Sequence, residues 1–510
     1  MSEKQSEKQG TIYKVESIAS SPDENVTKKV VGLDLFQHAD EISDEEMLAE
    51  LARIRRKVDW RIMPVLCITY TLQFLDKLSL NYALAYSLKD DLGLTGQRYS
   101  WVAAIFNFGY LFWAFPSNWI IQKMPVAKYT AGMLVTWAVI LVAHIGATNY
   151  GGMLALRFIL GMFEAGISPT CMMICGMFYL KKDQPFRMCT FLSCNGIATV
   201  LGALLGFGLG HADSGALQSW KLIFLTIGLL NFVWAVAFFF LTPDSPATAK
   251  FLTERERTIL IKHISENDQG VKDERFIWLQ AFEAFKDIQV YVFALIGLAC
   301  GVINGGVSNF QLSLIAGFGF GPLAATALQM PTGAIEFVVV FSCGILALKV
   351  PNIRCVIFCG LCVPGLAGLI GIHLIEDNRW ALVGCTWLQY IIGGPVILCW
   401  IFMNANIAGS TKKTVTTGLW FMIYAAGNII GANIFFAEEK PKYTSAMTGL
   451  MTSYAGMIAL GIGYYFLCKW RNHKRELEQG EYTEEVKKQA MVDGFAGKTD
   501  FENRGFRYSL

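Results

Sequence analysis

Charged side chains are scarce in this chain. They account for 16% of its 510 residues, whereas hydrophobic residues account for 54%. A soluble chain carries about 25% charge, and here the deficit is concentrated in residues 66–241 and 290–467. Apolar stretches of that length indicate a polytopic membrane protein with the lipid bilayer as a partner. The net charge of +2 provides no basic excess for nucleic acid, which we do not expect to bind.

Motifs for catalysis, nucleotide binding and metal binding are also missing. The glycine-rich run 317–322 has no lysine and does not follow a strand, so it is not a phosphate loop. The 13 cysteines are scattered through apolar runs rather than set at zinc-site spacing. We therefore expect no enzymatic activity, no cofactor and no metal. Any pumping must use an ion gradient or the gradient of the substrate itself.

The apolar runs predict an all-α protein with about 12 transmembrane helices, since each span needs about 20 apolar residues. The predicted spans are 62–86, 99–120, 129–148, 151–179, 187–209, 221–241, 289–311, 324–347, 354–374, 380–401, 415–436 and 446–468. Basic residues flank the first span at 53–61 and the last at 469–475, which predicts that both termini are cytosolic. We expect a multi-pass protein of the plasma membrane.

A polar stretch at 242–288 divides the spans six and six. The predicted organisation is a cytosolic tail with an amphipathic helix (1–59), an N-terminal six-helix bundle (60–243), a cytosolic linker (244–288), a C-terminal six-helix bundle (289–468) and a cytosolic C-terminal tail (469–510). Thr253 and Glu256 form a capping-box pattern that predicts a short linker helix. Leu51, Ile54 and Val58 recur at helical spacing, which predicts an amphipathic surface helix before the first span. Residues 1–42 and 476–510 are too polar to bury a core, so disorder is expected there.

Ionisable residues inside the predicted spans are few, and such residues usually face a partner or a water-filled cavity. Asp76 and Lys77 lie in the first span, Arg157 and Glu164 in the fourth, and Glu336 in the eighth. Arg157 and Glu164 are seven positions apart, so they share one helix face at a separation of about 10 Å. That separation suits two stations along one pathway better than a direct ion pair.

Each of these residues has a predicted role. Glu164, with Asp76, suits uptake and release of a proton, because burial raises the pKa of a carboxyl group and a nearby cation lowers it. Glu336 suits either the same role or an ion pair with a cation. Arg157 and Lys77 suit the anchoring of an anionic substrate. Neutral hydrogen bonds to the substrate are predicted from four amides, each of which is equally suited to joining helices: Asn81, Asn107, Asn304 and Asn428.

Four stretches resemble the major facilitator superfamily, and within it the allantoate permease group of the fungal anion:cation symporters. They are residues 74–83 with Asp76 followed by Lys77, residues 157–169 from Arg157 to Pro169, residues 243–256, and residues 329–336 ending at Glu336. The resemblance extends from about residue 57 to residue 471. The chain departs from the wider superfamily in the loop at 122–128, and it has Asn107 where tyrosine is expected.

The resemblance implies a monomeric secondary transporter with proton-coupled uptake of a small organic anion by alternating access. Its substrate would be of the ureide, carboxylate vitamin, peptide or sulfur amino acid type. Two alternatives share the same fold, namely an exporter of a small metabolite and a non-transporting nutrient sensor.

Overall fold

The computed structural model describes residues 44–121, 123–180, 183–210, 217–265, 277–350, 353–439, 443–479, 486, 490 and 498–509. Within these ranges all regular secondary structure is helical. The first half contains α1 (Asp44–Leu84), α2 (Leu88–Asp91), α3 (Arg98–Ile121), α4 (Val126–Ala143), α5 (Tyr150–Glu164), α6 (Ile167–Phe178), α7 (Gln184–Gly210) and α8 (Ser219–Leu241). Two short helices follow, α9 (Glu254–Ser265) and α10 (Trp278–Lys286). The second half contains α11 (Ile288–Gly317), α12 (Pro322–Ala327), α13 (Met330–Lys349), α14 (Arg354–Leu374), α15 (Arg379–Trp387), α16 (Gly393–Asn406), α17 (Ser410–Asn433) and α18 (Thr444–Gln479).

Each of the predicted spans has a helical counterpart. Ten helical segments in the described ranges are long and apolar enough to cross a membrane, judged by length and composition. The two remaining counterparts are α1 and α3, and α1 is made more polar by Gln73, Asp76 and Lys77. The all-α, two-bundle architecture predicted from the sequence is confirmed.

Three of the spans are each made of two helical pieces rather than one continuous helix. The breaks lie between α5 and α6, between α12 and α13, and in a 3-10 segment between α15 and α16. Each is followed by a proline, namely Pro169, Pro331 and Pro395. A proline has no backbone N–H and clashes with the carbonyl four residues earlier, which places the interruption ahead of it. The interruption ahead of Pro169 lies at residues 165–166, directly after Glu164.

The predicted amphipathic surface helix is not a separate element. Residues 44–84 form a single helix of 41 residues that continues into the first span. Ile54 and Val58 are buried, as their spacing predicts, and Lys57 pairs with Glu256 of α9. The capping box predicted for α9 is present, since the Thr253 backbone N–H donates to Glu256 Oε2 (3.0 Å) and the Glu256 N–H donates to Thr253 Oγ1 (3.3 Å).

The prediction of disorder for residues 476–510 is wrong for part of that tail. The last helix continues to Gln479, and residues 498–509 pack against the helix ends of the second half, with Asp500 and Tyr508 buried. We call residues 498–509 the C-terminal segment. Composition did not reveal this packing, because the partners of the segment lie on distant helices. Residues 1–42, also predicted to be disordered, lie outside the described ranges.

The two halves approach most closely where α7 crosses α13. A Cβ added to Gly196 would lie 2.2 Å from the Gly333 carbonyl oxygen, and one added to Gly333 would lie 2.3 Å from the Gly196 oxygen. Glycine at both positions lets the two backbones touch. By contrast, Gly427 and Gly431 of α17 contact α11 within the second half.

Candidate functional site

A cavity of about 170 Å³ lies between the two halves. Its wall carries Lys77 from α1, Glu164 from the end of α5 and Glu336 from α13. It also carries a set of side-chain amides, namely Gln73, Asn107, Asn195, Asn304 and Asn428. The cavity therefore joins one potential cation, two carboxyl groups and several neutral hydrogen-bonding groups in one space.

Lys77 bridges the two halves across this cavity. Its Nζ donates a hydrogen bond of 2.7 Å to Asn304 Oδ1 on α11, and it lies 5.8 Å from the centre of the Phe74 ring. Lys77 is close enough to Glu164 and Glu336 to interact electrostatically with both. The direct partner of the ammonium group is thus a neutral amide, and two carboxyl groups lie within electrostatic range of it.

Glu164 owes its position to the helix break. As the last residue of α5, it faces the cavity next to α1, where Gln73 Nε2 donates to Glu164 Oε1 over 3.3 Å. The same amide donates to Ser168 Oγ at 3.1 Å, and the Tyr70 hydroxyl donates to Ser168 at 3.2 Å. Within the described part of the chain, Glu164 Oε2 and Glu336 Oε2 are buried and accept no hydrogen bond. Each carboxyl group therefore has at least one oxygen available for a proton or a substrate donor.

Arg157 and Asp76 are placed elsewhere, inside the first half. Neither is among the residues that line the cavity. Asp76 accepts hydrogen bonds from Trp137 Nε1 (2.7 Å) and Ser79 Oγ (3.3 Å). Arg157 is 2% exposed, its guanidinium lies 5.4 Å from the centre of the Phe224 ring, and it interacts electrostatically with Asp76. Of the two residues predicted as stations, Glu164 therefore lines the cavity and Arg157 does not, although the two still interact electrostatically.

The predicted amide set is divided in the same way. Asn107, Asn304 and Asn428 line the cavity, whereas Asn81 is fully buried away from it. Asn428 Nδ2 also donates to the Tyr424 backbone carbonyl on its own helix at 2.9 Å.

Sequence reasoning missed much of the cavity wall. Gln73 and Asn195 were not predicted, nor was an aromatic face formed by Trp400, Phe421 and Tyr424. Part of this could have been found, because Tyr70, Gln73, Phe74 and Lys77 recur at spacings of three and four and so share one face of α1. The aromatic face comes from α16 and α17, whose position on the cavity wall has no local signal in the sequence.

A second charged cluster lies outside the cavity, at the end of the second half that holds the C-terminus. The Lys412 ammonium contacts Glu283 (3.0 Å), Asp287 (2.9 Å) and Asp500 (2.7 Å), and its side chain is 0% exposed. Arg471 contacts Asp287 at 2.8 Å. Burial alone would raise the pKa of Asp287, but Lys412 and Arg471 beside it hold that pKa below its usual value. The cluster joins α10, α11, α17, α18 and the C-terminal segment.

Comparison with known proteins connects this architecture to a family. Residues 66–432 match the sequence profile of the Major Facilitator Superfamily. The chain is 32% identical to an uncharacterized transporter of Schizosaccharomyces pombe, over 97% of this chain and 94% of that protein. It is 30% identical to the allantoate permease of Saccharomyces cerevisiae, over 92% of this chain and 89% of the permease. It is also 30% identical to the thiamine pathway transporter THI73 of the same yeast, over 89% of this chain and 86% of that transporter.

A solved structure supports the fold. The chain resembles a bacterial homologue of the human lysosomal transporter Spinster in an inward-facing, occupied conformation, with a TM-score of 0.57 at 14% identity, over 80% of this chain and 96% of that one. The relatives and the family are transporters of small molecules, which confirms that the chain is not an enzyme. It is an integral, multi-pass membrane transporter that belongs to the major facilitator superfamily, in the fungal anion:cation symporter group that includes the allantoate permease.

Proposed function

We propose that the protein carries out proton-coupled uptake of a small organic anion by alternating access, with the anion bound in the cavity between the two halves. The observation that supports this most is the shared placement of Lys77, Glu164 and Glu336 on one cavity wall. A lysine inside an apolar bundle is costly, and such residues mark substrate or ion pathways. The site we propose combines a cation for the anion with carboxyl groups for the proton.

In this proposal Lys77 anchors the anionic group of the substrate. Its contact with the Asn304 amide, at 2.7 Å, is with a neutral partner. An incoming carboxylate would displace that amide, since two opposite charges attract each other more strongly in a low-dielectric site than a charge attracts a neutral amide. Because Asn304 belongs to the second half, the exchange would also alter a contact between the halves.

Arg157 has an indirect role in this account. Its absence from the cavity lining favours an internal partnership with Asp76 over contact with the substrate. The pair would fix the electrostatic environment of α1 and α5 around Lys77 and Glu164.

Proton coupling follows from the charge balance of the cavity. With Lys77 charged and both carboxyl groups ionised, the three groups carry one net negative charge, and a bound monoanion would make it two. An unneutralised charge in a low-dielectric site is unfavourable. Protonation of Glu164 or Glu336 removes one negative charge, so anion binding and proton uptake would favour each other.

The wall also suggests a substrate class. The amides and the aromatic face of Trp400, Phe421 and Tyr424 suit a compact anion with several polar groups or a planar part. Ureides, carboxylate vitamins, short peptides and sulfur amino acids meet this description in different ways. The name of the allantoate permease fits the first of these classes. We place the protein in the plasma membrane, with both termini cytosolic, as a monomer.

Growth of a transporter-deficient yeast on single nitrogen, sulfur and vitamin sources identifies the substrate, and labelled uptake into proteoliposomes then tests the coupling. An inward proton gradient should drive accumulation, and a protonophore should abolish it. Glu164→Gln should lose accumulation but keep exchange of labelled for unlabelled substrate, because exchange needs no net proton movement. Gradient-driven accumulation that persists in both Glu164→Gln and Glu336→Gln contradicts the proposed coupling. Accumulation driven only by an outward proton gradient indicates the export alternative.

A further inference from the structure

Helix α10 has two chemically different faces. Leu279, Phe282 and Phe285 are exposed by 70%, 61% and 52%, and Trp278 at the start of the helix is 70% exposed. Gln280, Ala281 and Ala284 on the opposite face are buried. An amphipathic helix with large aromatic and aliphatic side chains on one face is typical of a segment that lies in a membrane interface.

The inner face of α10 is fixed to the second half by hydrogen bonds and an ion pair. The Ile277 N–H donates to Thr411 Oγ1 (3.0 Å), and the Thr411 N–H donates to Gln280 Oε1 (3.2 Å). Lys412 Nζ donates to Glu283 Oε1 over 3.0 Å. These contacts hold the helix in one rotation, with its apolar face turned away from the bundle.

The apolar face continues into the surface of the adjoining span. Only Asp287 separates α10 from α11, and the exposed residues at the start of α11 are Ile288 (54%), Tyr291 (50%) and Leu295 (51%). Their spacing of three and four places them on one side of α11. The Tyr291 hydroxyl donates to the Phe285 carbonyl at 2.7 Å, which joins the two exposed faces directly. Since α11 crosses the membrane, that side of it faces lipid.

We propose that α10 lies in the headgroup layer of the bilayer and binds the lipid surface. In this arrangement Leu279, Phe282 and Phe285 enter the boundary of the acyl chains and Trp278 lies at the interface, as tryptophan commonly does. The linker segment that the sequence assigns to the cytosol thereby becomes a membrane contact. The contacts of Gln280 with Thr411 and of Glu283 with Lys412 connect this membrane contact to the beginning of α17.

Fluorescence quenching in vesicles of phosphatidylcholine and phosphatidylglycerol tests the proposal with the full-length protein. The vesicles are prepared with and without bromine on the acyl chains near the headgroup, and the emission of Trp278 is taken as wild type minus Trp278→Phe. Loss of this emission in brominated vesicles is expected. Emission equal in both kinds of vesicle overturns the proposal. Emission quenched only at low protein density, with cross-linked dimers at high density, would assign the face to a second copy and would also overturn it.

A matched pair of variants separates lipid binding from folding. Phe282→Leu keeps the face apolar and should retain the quenching of Trp278, whereas Phe282→Asp should reduce it. Both variants should show unchanged thermal unfolding, because the side chain is exposed and does not contribute to the packed core. Equal quenching in the two variants contradicts a contact through this face.

Discussion

Replacing Lys412 with methionine should destabilise the second half strongly. The Lys412 ammonium contacts three carboxylates, and the side chains of Lys412, Asp287 and Asp500 are all 0% exposed. Removing one partner of a buried ion pair costs about 3–5 kcal/mol, because the charge left behind is buried without compensation. Arg471 still contacts Asp287, so Asp500 loses the most. A shift in the unfolding midpoint on the order of 10 °C is expected for a unit of this size.

The double variant Lys412→Met/Asp500→Asn makes the test specific. Asp500→Asn alone should cost about 1.5–3 kcal/mol, the contribution of a hydrogen bond to a charged group. The double variant should cost less than the sum of the two single variants, with a coupling of about 1–3 kcal/mol, because the two residues interact directly. Additive effects would show that the C-terminal segment does not pair with Lys412.

A thiol-reactive dye is a suitable probe of unfolding for this protein. All 13 cysteines are at least half-buried, so labelling reports loss of structure. Lys474→Met is the matched control, since Lys474 is 59% exposed and pairs with Glu478 at 3.8 Å on the surface. A pair of that kind contributes about 0–1 kcal/mol. Equal midpoints for Lys412→Met and Lys474→Met would refute the reasoning.

Two further predictions concern motion and pH. Gly196→Ala should slow uptake sharply at normal surface expression, because the added Cβ would lie 2.2 Å from the Gly333 oxygen. Gly208→Ala is the control and should leave uptake unchanged, because its added Cβ meets nothing within 4 Å. Equal uptake rates in the two variants would rule out the glycine contact as a moving interface. Because the folded protein holds the pKa of Asp287 below its usual value, the ionised carboxylate stabilises the fold at pH values above the ordinary carboxyl pKa of about 4. This stabilisation is lost as the pH falls through the lower pKa that Asp287 has in the folded protein. Thermal unfolding followed from pH 7 downward should show this loss in the wild type and a smaller one in Asp287→Asn, and identical profiles would contradict it.

The sequence was sufficient for the spans but not for their interruptions. Hydrophobic runs placed every span, because a bilayer requires about 20 apolar residues whatever the tertiary contacts. Prolines alone did not locate the breaks: Pro169 follows an interruption, yet Pro364 lies inside the continuous helix α14. Whether a proline bends or divides a helix depends on neighbouring groups that satisfy the freed carbonyls.

The candidate site was predictable in type and less so in position. Lys77, Glu164, Glu336 and Asn304 meet in the cavity because rare ionisable and amide groups in apolar spans face internal spaces. The shared helix face of Arg157 and Glu164 did not reveal how far the cavity extends along α5. The cavity reaches Glu164 but not Arg157. In the same way, nothing local in the polar tail indicated that Asp500 would meet Lys412.

The central claim is that Lys77 binds the anion, and equilibrium binding of the identified substrate to Lys77→Gln tests it most directly. A hydrogen bond to a charged group contributes about 1.5–3 kcal/mol, so affinity should fall by about ten- to a hundred-fold. Lys474→Gln, the same change at an exposed position, should bind as the wild type does, and thermal unfolding should show that both variants are folded. Unchanged affinity in folded Lys77→Gln, with the loss appearing in Arg157→Gln instead, would contradict the account.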